Sequence, residues 1–214
     1  MLGKNKDYYI SKGDAYFDAN QLEKALKEYI SAYNIDSNDV NVCDLIGMLY
    51  WDLNIKGEAE KYLKEAIDLN STNEFTYFIM GVLCEDKKDF ENAILYLKKS
   101  ISINDDFYNA HFYLALCYIG MSDKYYKEAI IHLEKVIKLN PAPEKEVYNM
   151  LNALKNQQEY EKGLDKKNIK EAKLLQCRFP YYDYSMNCQY SHYQCDCCEI
   201  KYKYINAMKN KDYD

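Results

Sequence analysis

The chain has 214 residues, and at roughly 150 residues per domain this length predicts one elongated domain with an appendage. Hydrophobic residues make up 48% and charged residues 29%, which excludes wholesale disorder. The 7 Gly and 3 Pro are too few for the many tight turns of a β-sandwich, a barrel or a Rossmann-type nucleotide site, so the composition favours helices. Lys and Arg number 28 against 34 Asp and Glu, and Arg178 is the single arginine, so nucleic acid is not an expected partner.

The start of the chain and its apolar runs bear on its location. Residues 1–14 contain no apolar stretch of the length found in secretory signals and no small-residue cleavage site. The longest apolar stretches are far shorter than the ~20 residues that span a bilayer. We therefore expect a cytoplasmic protein with no membrane contact, whose cysteines are reduced or bound to metal rather than joined in disulfides.

Four similar segments recur along the chain, and each contains an alanine at the same position. Their sequences are LEKALKEYI, GEAEKYLKEAI, FENAILYLKKSI and YKEAIIHLEKVI, with Ala25, Ala59, Ala93 and Ala129 separated by 34, 34 and 36 residues. Gly13, Gly47 and Gly81 precede the first three alanines by twelve residues, and Ala115 takes this position in the fourth unit, which has a two-residue insertion within 122–126. A period of this length predicts a solenoid.

Each unit divides into two amphipathic helical patterns. In the second unit Cys43, Ile46, Gly47 and Tyr50 follow the spacing i, i+3, i+4, i+7, and a similar apolar series begins at Ala59. Small residues recur where the two helices of a pair are expected to cross, because Gly or Ala lets helix axes approach to about 8–10 Å. Segments rich in Asn, Asp and Ser follow each second helix and are typical of turns and helix caps.

This pattern resembles the tetratricopeptide repeat family, whose 34-residue signature is W-x2-L-G-x2-Y, then A-x3-F, then A and P. The resemblance implies an all-α fold, an α-solenoid of helix-turn-helix repeats. The residues beyond it form a Cys/Tyr-rich C-terminal extension. We place the repeats at residues 6–39, 40–73, 74–107 and 108–143. A degenerate fifth helix pair is expected to cap the stack at 144–176, with its connecting loop at 159–167, and the tail covers 177–214.

The resemblance also implies a concave groove lined by the first helix of each pair, at unit positions two, five, nine, twelve and thirteen. These positions hold no Lys or Arg in any of the four units, whereas family members that bind chaperone C-terminal tails hold the terminal carboxylate with basic side chains and Asn. Carboxylates interleaved with aromatic rings predict binding of an apolar or basic peptide. The predicted groove residues are Phe17, Asp44, Met48, Trp51, Phe75, Phe78, Val82, Glu85, Phe112 and Leu116. The alternative is that some of these aromatic rings pack against adjacent repeats and contact no ligand.

The 8 cysteines fall into two groups. Cys43, Cys84 and Cys117 lie on apolar helix faces and are expected in the core. The other five lie with His192 in the tail, namely Cys177, Cys188, Cys195, Cys197 and Cys198. The run C-x3-H-x2-C-x2-C offers four soft ligands to zinc, but its spacing is not a regular finger pattern, so we predict no metal or cofactor. The tyrosine-rich tail is expected to pack on the last repeats or in the groove, where it would compete with a ligand.

No motif for phosphate binding, metalloprotease or serine-hydrolase chemistry is present. His111 and His132 fall within repeat helices and are expected to serve packing. We therefore expect a non-enzymatic scaffold or adaptor that binds a protein or peptide, with self-association through terminal helix faces left open. The alternative is a metal-binding or redox-responsive adaptor that acts through the Cys-rich tail, with the repeats positioning it.

Overall fold

A computed structural model of the protein describes residues 5–163, and the side chains through residue 158. The second helix of the predicted fifth pair and the whole Cys/Tyr-rich tail, with its zinc and groove-occupation hypotheses, lie outside the described residues. Within them, the predicted all-α solenoid is confirmed. The helices are α1 (Lys6–Asp18), α2 (Leu22–Tyr33), α3 (Val40–Asp52), α4 (Lys56–Asp68), α5 (Glu74–Asp86), α6 (Phe90–Ile103), α7 (Tyr108–Met121), α8 (Tyr126–Leu139) and α9 (Lys145–Gly163), with a 3₁₀ turn at Asp123–Tyr125 before α8.

The helices begin and end at residues that recur with the repeat. Asn5, Asp39 and Asn73, each 34 residues apart, cap α1, α3 and α5 by accepting hydrogen bonds from backbone N–H groups of the first turn. The turn inside each of the first three hairpins passes through one residue with a positive φ angle, at Asn20, Asn54 and Lys88. Asn tolerates this left-handed conformation better than most residues, so two of these three turns have a favourable residue.

A glycine on the first helix of a hairpin lies against a large side chain on the second. A Cβ atom added to Gly47 would lie 2.6 Å from Leu63 Cδ2 and 3.1 Å from the Leu63 backbone nitrogen, and Gly81 is equally close to Leu97. The four repeat alanines are completely buried. The two helices of each hairpin therefore pack closely because small residues stand at their crossing.

Successive hairpins stack so that the first helices come together on one side. Helix α3 contacts α5 and α5 contacts α7, whereas no two of the second helices approach comparably within the described part of the chain. A curved stack has its shorter side where neighbouring helices are closest. The first helices therefore form the concave side of the solenoid, which we call the inner face.

The last described helix, α9, packs against α8 through Val147, Leu151 and Leu154, which join the core of the third and fourth hairpins. The sequence predicted a loop from residue 159, and this is wrong for its first part, since α9 continues to Gly163. No Gly or Pro interrupts the helix before that point, so nothing in the local sequence breaks it.

Two of the three predicted core cysteines, Cys43 and Cys117, are fully buried, and Cys84 is partly buried in the core of the third and fourth hairpins.

The two repeat histidines, His111 and His132, form a hydrogen bond with each other inside the fourth hairpin. His111 Nε2 lies 3.0 Å from the Asp105 carbonyl oxygen and donates to it, so its Nδ1 accepts the hydrogen bond from His132 Nδ1 at 2.9 Å. Both predicted packing roles are thus confirmed.

Gly47→Ala is expected to lower the free energy of unfolding by about 1–3 kcal/mol, because the added methyl group overlaps Leu63. Gly57→Ala is the matched control, since a Cβ on Gly57 in α4 meets no atom within 4 Å; it should be neutral or stabilise by up to about 1 kcal/mol through helix propensity. Urea denaturation followed by circular dichroism measures both. Equal effects of the two substitutions would contradict the packing argument.

Stability should also fall on mild acidification through His132. Burial, with smaller contributions from His111 and Lys98 and an opposing one from Asp105, lowers the pKa of His132 from 6.5 to about 4. The unfolded chain therefore binds more protons between these values, so stability present at neutral pH is lost as the pH falls from about 6.5 to 4, by on the order of 1–2 kcal/mol after allowance for partial exposure of the ring. In urea denaturation at several pH values, His132→Gln should reduce the dependence of the free energy of unfolding on pH. An unchanged pH dependence in this variant would contradict the role given to His132.

Candidate peptide-binding groove

The predicted groove residues all lie on the first helices of the hairpins and fall into three classes of burial. Phe17 and Phe75 are each 46% exposed. Met48, Trp51, Phe78, Phe112 and Leu116 are partly buried, and Asp44, Val82 and Glu85 are buried. Among the ten predicted residues, the accessible side chains are therefore apolar or aromatic, and both predicted carboxylates, Asp44 and Glu85, are buried.

The largest aromatic group on this face lies where the third and fourth repeats meet. The Phe107 ring packs against Phe75 at a centroid distance of 4.9 Å and against Phe78 at 5.0 Å. Tyr113 contacts Phe78 at 5.4 Å and Phe112 at 5.9 Å, both edge to face. These five residues, the aromatic cluster, support one another from two repeats, so the exposed Phe75 ring stands on a packed base.

Sequence reasoning missed Phe107 and Tyr113. Tyr113 is the sixth residue of its unit, outside the five positions assigned to the concave face. Phe107 occupies the position at which the first three units have the capping residues Asn5, Asp39 and Asn73, and α7 has no side-chain cap. The signal available in the sequence was an aromatic residue at a position where the other units have Asn or Asp. Loss of a helix cap costs about 1 kcal/mol, so the aromatic ring at this position is expected to make a packing contact that offsets the loss.

Asp44 holds the second and third repeats together instead of facing outward. The Ser71 hydroxyl donates to both of its carboxylate oxygens, at 3.0 and 2.8 Å, and the Thr76 hydroxyl donates to Oδ1. Burial raises the pKa of Asp44, and the bonds from Thr76 and Ser71 oppose that rise. The carboxylate is therefore committed to Ser71 at the end of its own repeat and to Thr76 of the next repeat.

Glu85 also has a partner within the chain, because the Lys88 ammonium forms a salt bridge with its Oε1 at 3.3 Å. Burial raises the pKa of the Tyr113 hydroxyl, and the nearby Glu85 and Asp86 carboxylates raise it further. The exposed acidic groups on this side of the chain lie elsewhere, at Asp7, Asp14 and Asp18 on α1 and at Asp52 and Asp86 at the ends of α3 and α5.

One lysine reaches the inner face from a second helix. The Lys56 ammonium lies 5.9 Å from the centre of the Trp51 ring and pairs with Asp86 of the next repeat. A cation over an aromatic face is stabilised by the ring's negative potential. Lys56 therefore covers part of Trp51 and neutralises one of the exposed carboxylates, which the count of groove positions alone did not predict.

Within residues 5–163 no three His, Cys, Asp or Glu side chains are grouped to hold a metal ion. In the same region no helix combines the length and apolarity needed to cross a membrane.

Asp44→Ala should lower the free energy of unfolding by about 1–3 kcal/mol, because it leaves the buried Ser71 and Thr76 hydroxyls without their acceptor. Asp68→Ala is the control, since Asp68 is an exposed aspartate on α4; its effect should stay within about 0.5 kcal/mol. Urea denaturation compares the two, and a loss no larger for Asp44 than for Asp68 would contradict the role given to the network.

Comparison with known proteins was made by sequence and by structure. A family profile described as tetratricopeptide repeat matches residues 6–39, 40–73, 76–107 and 110–143. Protein O-mannosyl-transferase TMTC3 of Homo sapiens is 26% identical over 147 residues, which is 68% of this chain and 16% of TMTC3. This chain therefore spans a small part of that relative's length.

Two crystal structures share the fold. That of the MamA protein is 24% identical, with a TM-score of 0.63 over 80% of this chain and 90% of MamA. That of YrrB, described as a TPR protein with an unusual peptide-binding site, is 19% identical, with a TM-score of 0.64 over 74% of this chain and 80% of YrrB. Since the family matches cover more than half of the 214 residues and the helices repeat in the same register, this chain belongs to the tetratricopeptide repeat family.

Proposed function

We propose that the inner face binds an extended, apolar or basic segment of a protein partner, and that the chain acts as a non-catalytic scaffold. The observation that carries this proposal is the exposed Phe75 ring on the packed base of the aromatic cluster. An aromatic ring that is held in place loses little conformational freedom on binding, and such rings dominate the energetics of many interfaces.

The shape of the site supports a segment rather than a small molecule. Phe17 on α1 and Phe75 on α5 are exposed two repeats apart, with Met48 and Trp51 of α3 partly exposed between them. Apolar positions spaced along successive helices suit a chain that runs across the repeats and inserts side chains at intervals. YrrB shares this fold and is described as having a peptide-binding site, which is consistent with the proposal.

Charge selects the kind of segment. The exposed carboxylates Asp7 and Asp18 lie on α1 and Asp52 lies at the end of α3, whereas Lys56 is paired with Asp86. A partner with Lys or Arg beside its apolar residues would be attracted to the first two repeats, and an acidic partner would be repelled. Asp44 and Glu85 support the wall from inside and are not assigned to ligand contact.

The alternative function, a metal-binding or redox-responsive adaptor, depends on residues 177–214. These lie outside the described residues, so this alternative stays a prediction.

Peptides selected from a random displayed library against the full chain should be rich in apolar residues with Lys or Arg. Phe75→Ala should weaken the selected peptides by about tenfold or more, because it removes the exposed anchor ring. Fluorescence anisotropy with a labelled selected peptide measures the dissociation constant, and raising the salt concentration should weaken binding further.

The matched control is Ile131→Ala, which removes an apolar side chain that is 61% exposed on the second helix α8. It should leave peptide affinity unchanged, and circular dichroism should show both variants folded. Enrichment of acidic peptides, or an Ile131→Ala effect as large as that of Phe75→Ala, would overturn the proposal.

A further inference from the structure

The first helices of the first three hairpins all end at an aspartate. Asp18, Asp52 and Asp86 are the last residues of α1, α3 and α5, and no basic residue lies in the last turn of these helices. The backbone carbonyl groups at a helix C-terminus carry partial negative charge, so a carboxylate at that end is stabilised by a nearby cation. The chain supplies such a cation to Asp86 but not to Asp52.

The cation at Asp86 comes from the preceding repeat. Lys56, the first residue of α4, forms a salt bridge with Asp86. The equivalent positions meet again one repeat later, where a Cβ atom added to Gly120 near the end of α7 would lie 2.6 Å from the ring of Phe90, the first residue of α6. In both steps the start of a second helix lies against the end of the following first helix.

Asp52 has no cation of this kind. The position equivalent to Lys56 one repeat earlier is Leu22, the first residue of α2, whose side chain is apolar. Among the residues that the structure describes, none forms a hydrogen bond or salt bridge with Asp52. Partial burial raises the pKa of Asp52, and no charged neighbour opposes the rise. A carboxylate that has lost part of its water without gaining a partner is stabilised when a cation binds it.

Asp52 lies diagonally across the inner face from Phe75. The first helices α3 and α5 run in the same direction, because α4 returns the chain between them. Phe75 is eleven residues before Asp86, the counterpart of Asp52 on α5, which corresponds to about 17 Å along a helix axis. With neighbouring helix axes about 8–10 Å apart, Asp52 and Phe75 are separated by about 19 Å. An extended chain covers this distance in about six residues.

The two ends of this diagonal differ in charge. Helix α7, which packs against α5 beside Phe75, contains no Asp, Glu, Lys or Arg, and Tyr108 at its start is 39% exposed. On the side of the first two repeats, Asp18 and Asp52 are exposed at the ends of their helices. A segment that contacts both regions needs a cationic residue at one end and an apolar residue at the other.

We propose that Asp52 binds a lysine or arginine side chain of the partner segment whose apolar residue packs on Phe75, with these two partner residues about six positions apart. The Lys56 salt bridge to Asp86 is the same contact made within the chain. The inference rests on the function proposed above, to which it adds the place of the basic residue and its spacing from the apolar one.

The test begins with a displayed library of random peptides that each carry one fixed central Phe, selected against the full chain. Enriched peptides should carry Lys or Arg about six residues from the Phe. Selection against Asp52→Asn should lose this preference and keep binding through the Phe, because the substitution removes the charge and preserves the size of the side chain. Asp68→Asn is the matched control at an exposed aspartate of α4 and should keep the preference.

Fluorescence anisotropy then compares the most enriched peptide with a version that has glutamine in place of its basic residue. Asp52→Asn should weaken the first peptide by about three- to tenfold and leave the second unchanged. Leu22→Lys should have the same effect, because it gives Asp52 the internal cation that Lys56 gives Asp86. Circular dichroism checks the folding of both variants, and Asp52→Asn alone decides the outcome if Leu22→Lys is poorly folded.

The possible failures are distinguishable. If Phe75→Ala weakens the enriched peptides but Asp52→Asn leaves their affinity and their spacing preference unchanged, this inference is wrong and the proposed function stands. A basic residue preferred directly beside the Phe, or no preferred spacing, would have the same meaning. If Phe75→Ala binds the enriched peptides as tightly as the parent chain does, the proposed function and this inference are both wrong.

Discussion

The close contact between the two helices of each hairpin is the packing on which the rest of the structure depends. Gly47 against Leu63, and Gly81 against Leu97, leave no room for even one added carbon atom. A hairpin with a residue larger than Gly or Ala at that crossing would have to splay, and the next hairpin would lose its contact surface. The order of the solenoid thus follows from a small residue placed once in every 34.

Once each hairpin has formed, the stacking of successive hairpins produces the inner face. The first helices approach one another, so their remaining side chains share one continuous wall. The buried Asp44 carboxylate is paired with Ser71 of its own repeat and with Thr76 of the next, while Phe17 and Phe75 stay accessible. The wall therefore combines an internally bonded carboxylate with accessible aromatic rings, which suits it for holding a partner segment.

The sequence predicted the helices, the repeat register and the crossing glycines because all of these are periodic and local. It did not predict that Asp44 is enclosed, since its partners Ser71, after the second hairpin, and Thr76, in the following repeat, reach it only when the two hairpins stack. Tyr113 lies outside the five unit positions assigned to the concave face, and Phe107 stands at the cap position, which the repeat pattern does not assign to that face. The insertion within 122–126 departs from the period, and its three-dimensional effect depends on where Tyr125 packs.

The central claim is that the inner face contacts a partner polypeptide. The most direct measurement replaces Phe75, and separately Ile131 on α8, with a photoreactive phenylalanine analogue in the full chain, irradiates it where the protein is naturally expressed, and sequences the attached peptides by mass spectrometry. We expect position 75 to capture one recurring apolar or basic segment that position 131 does not capture. Capture from position 131 with none from position 75 would contradict it.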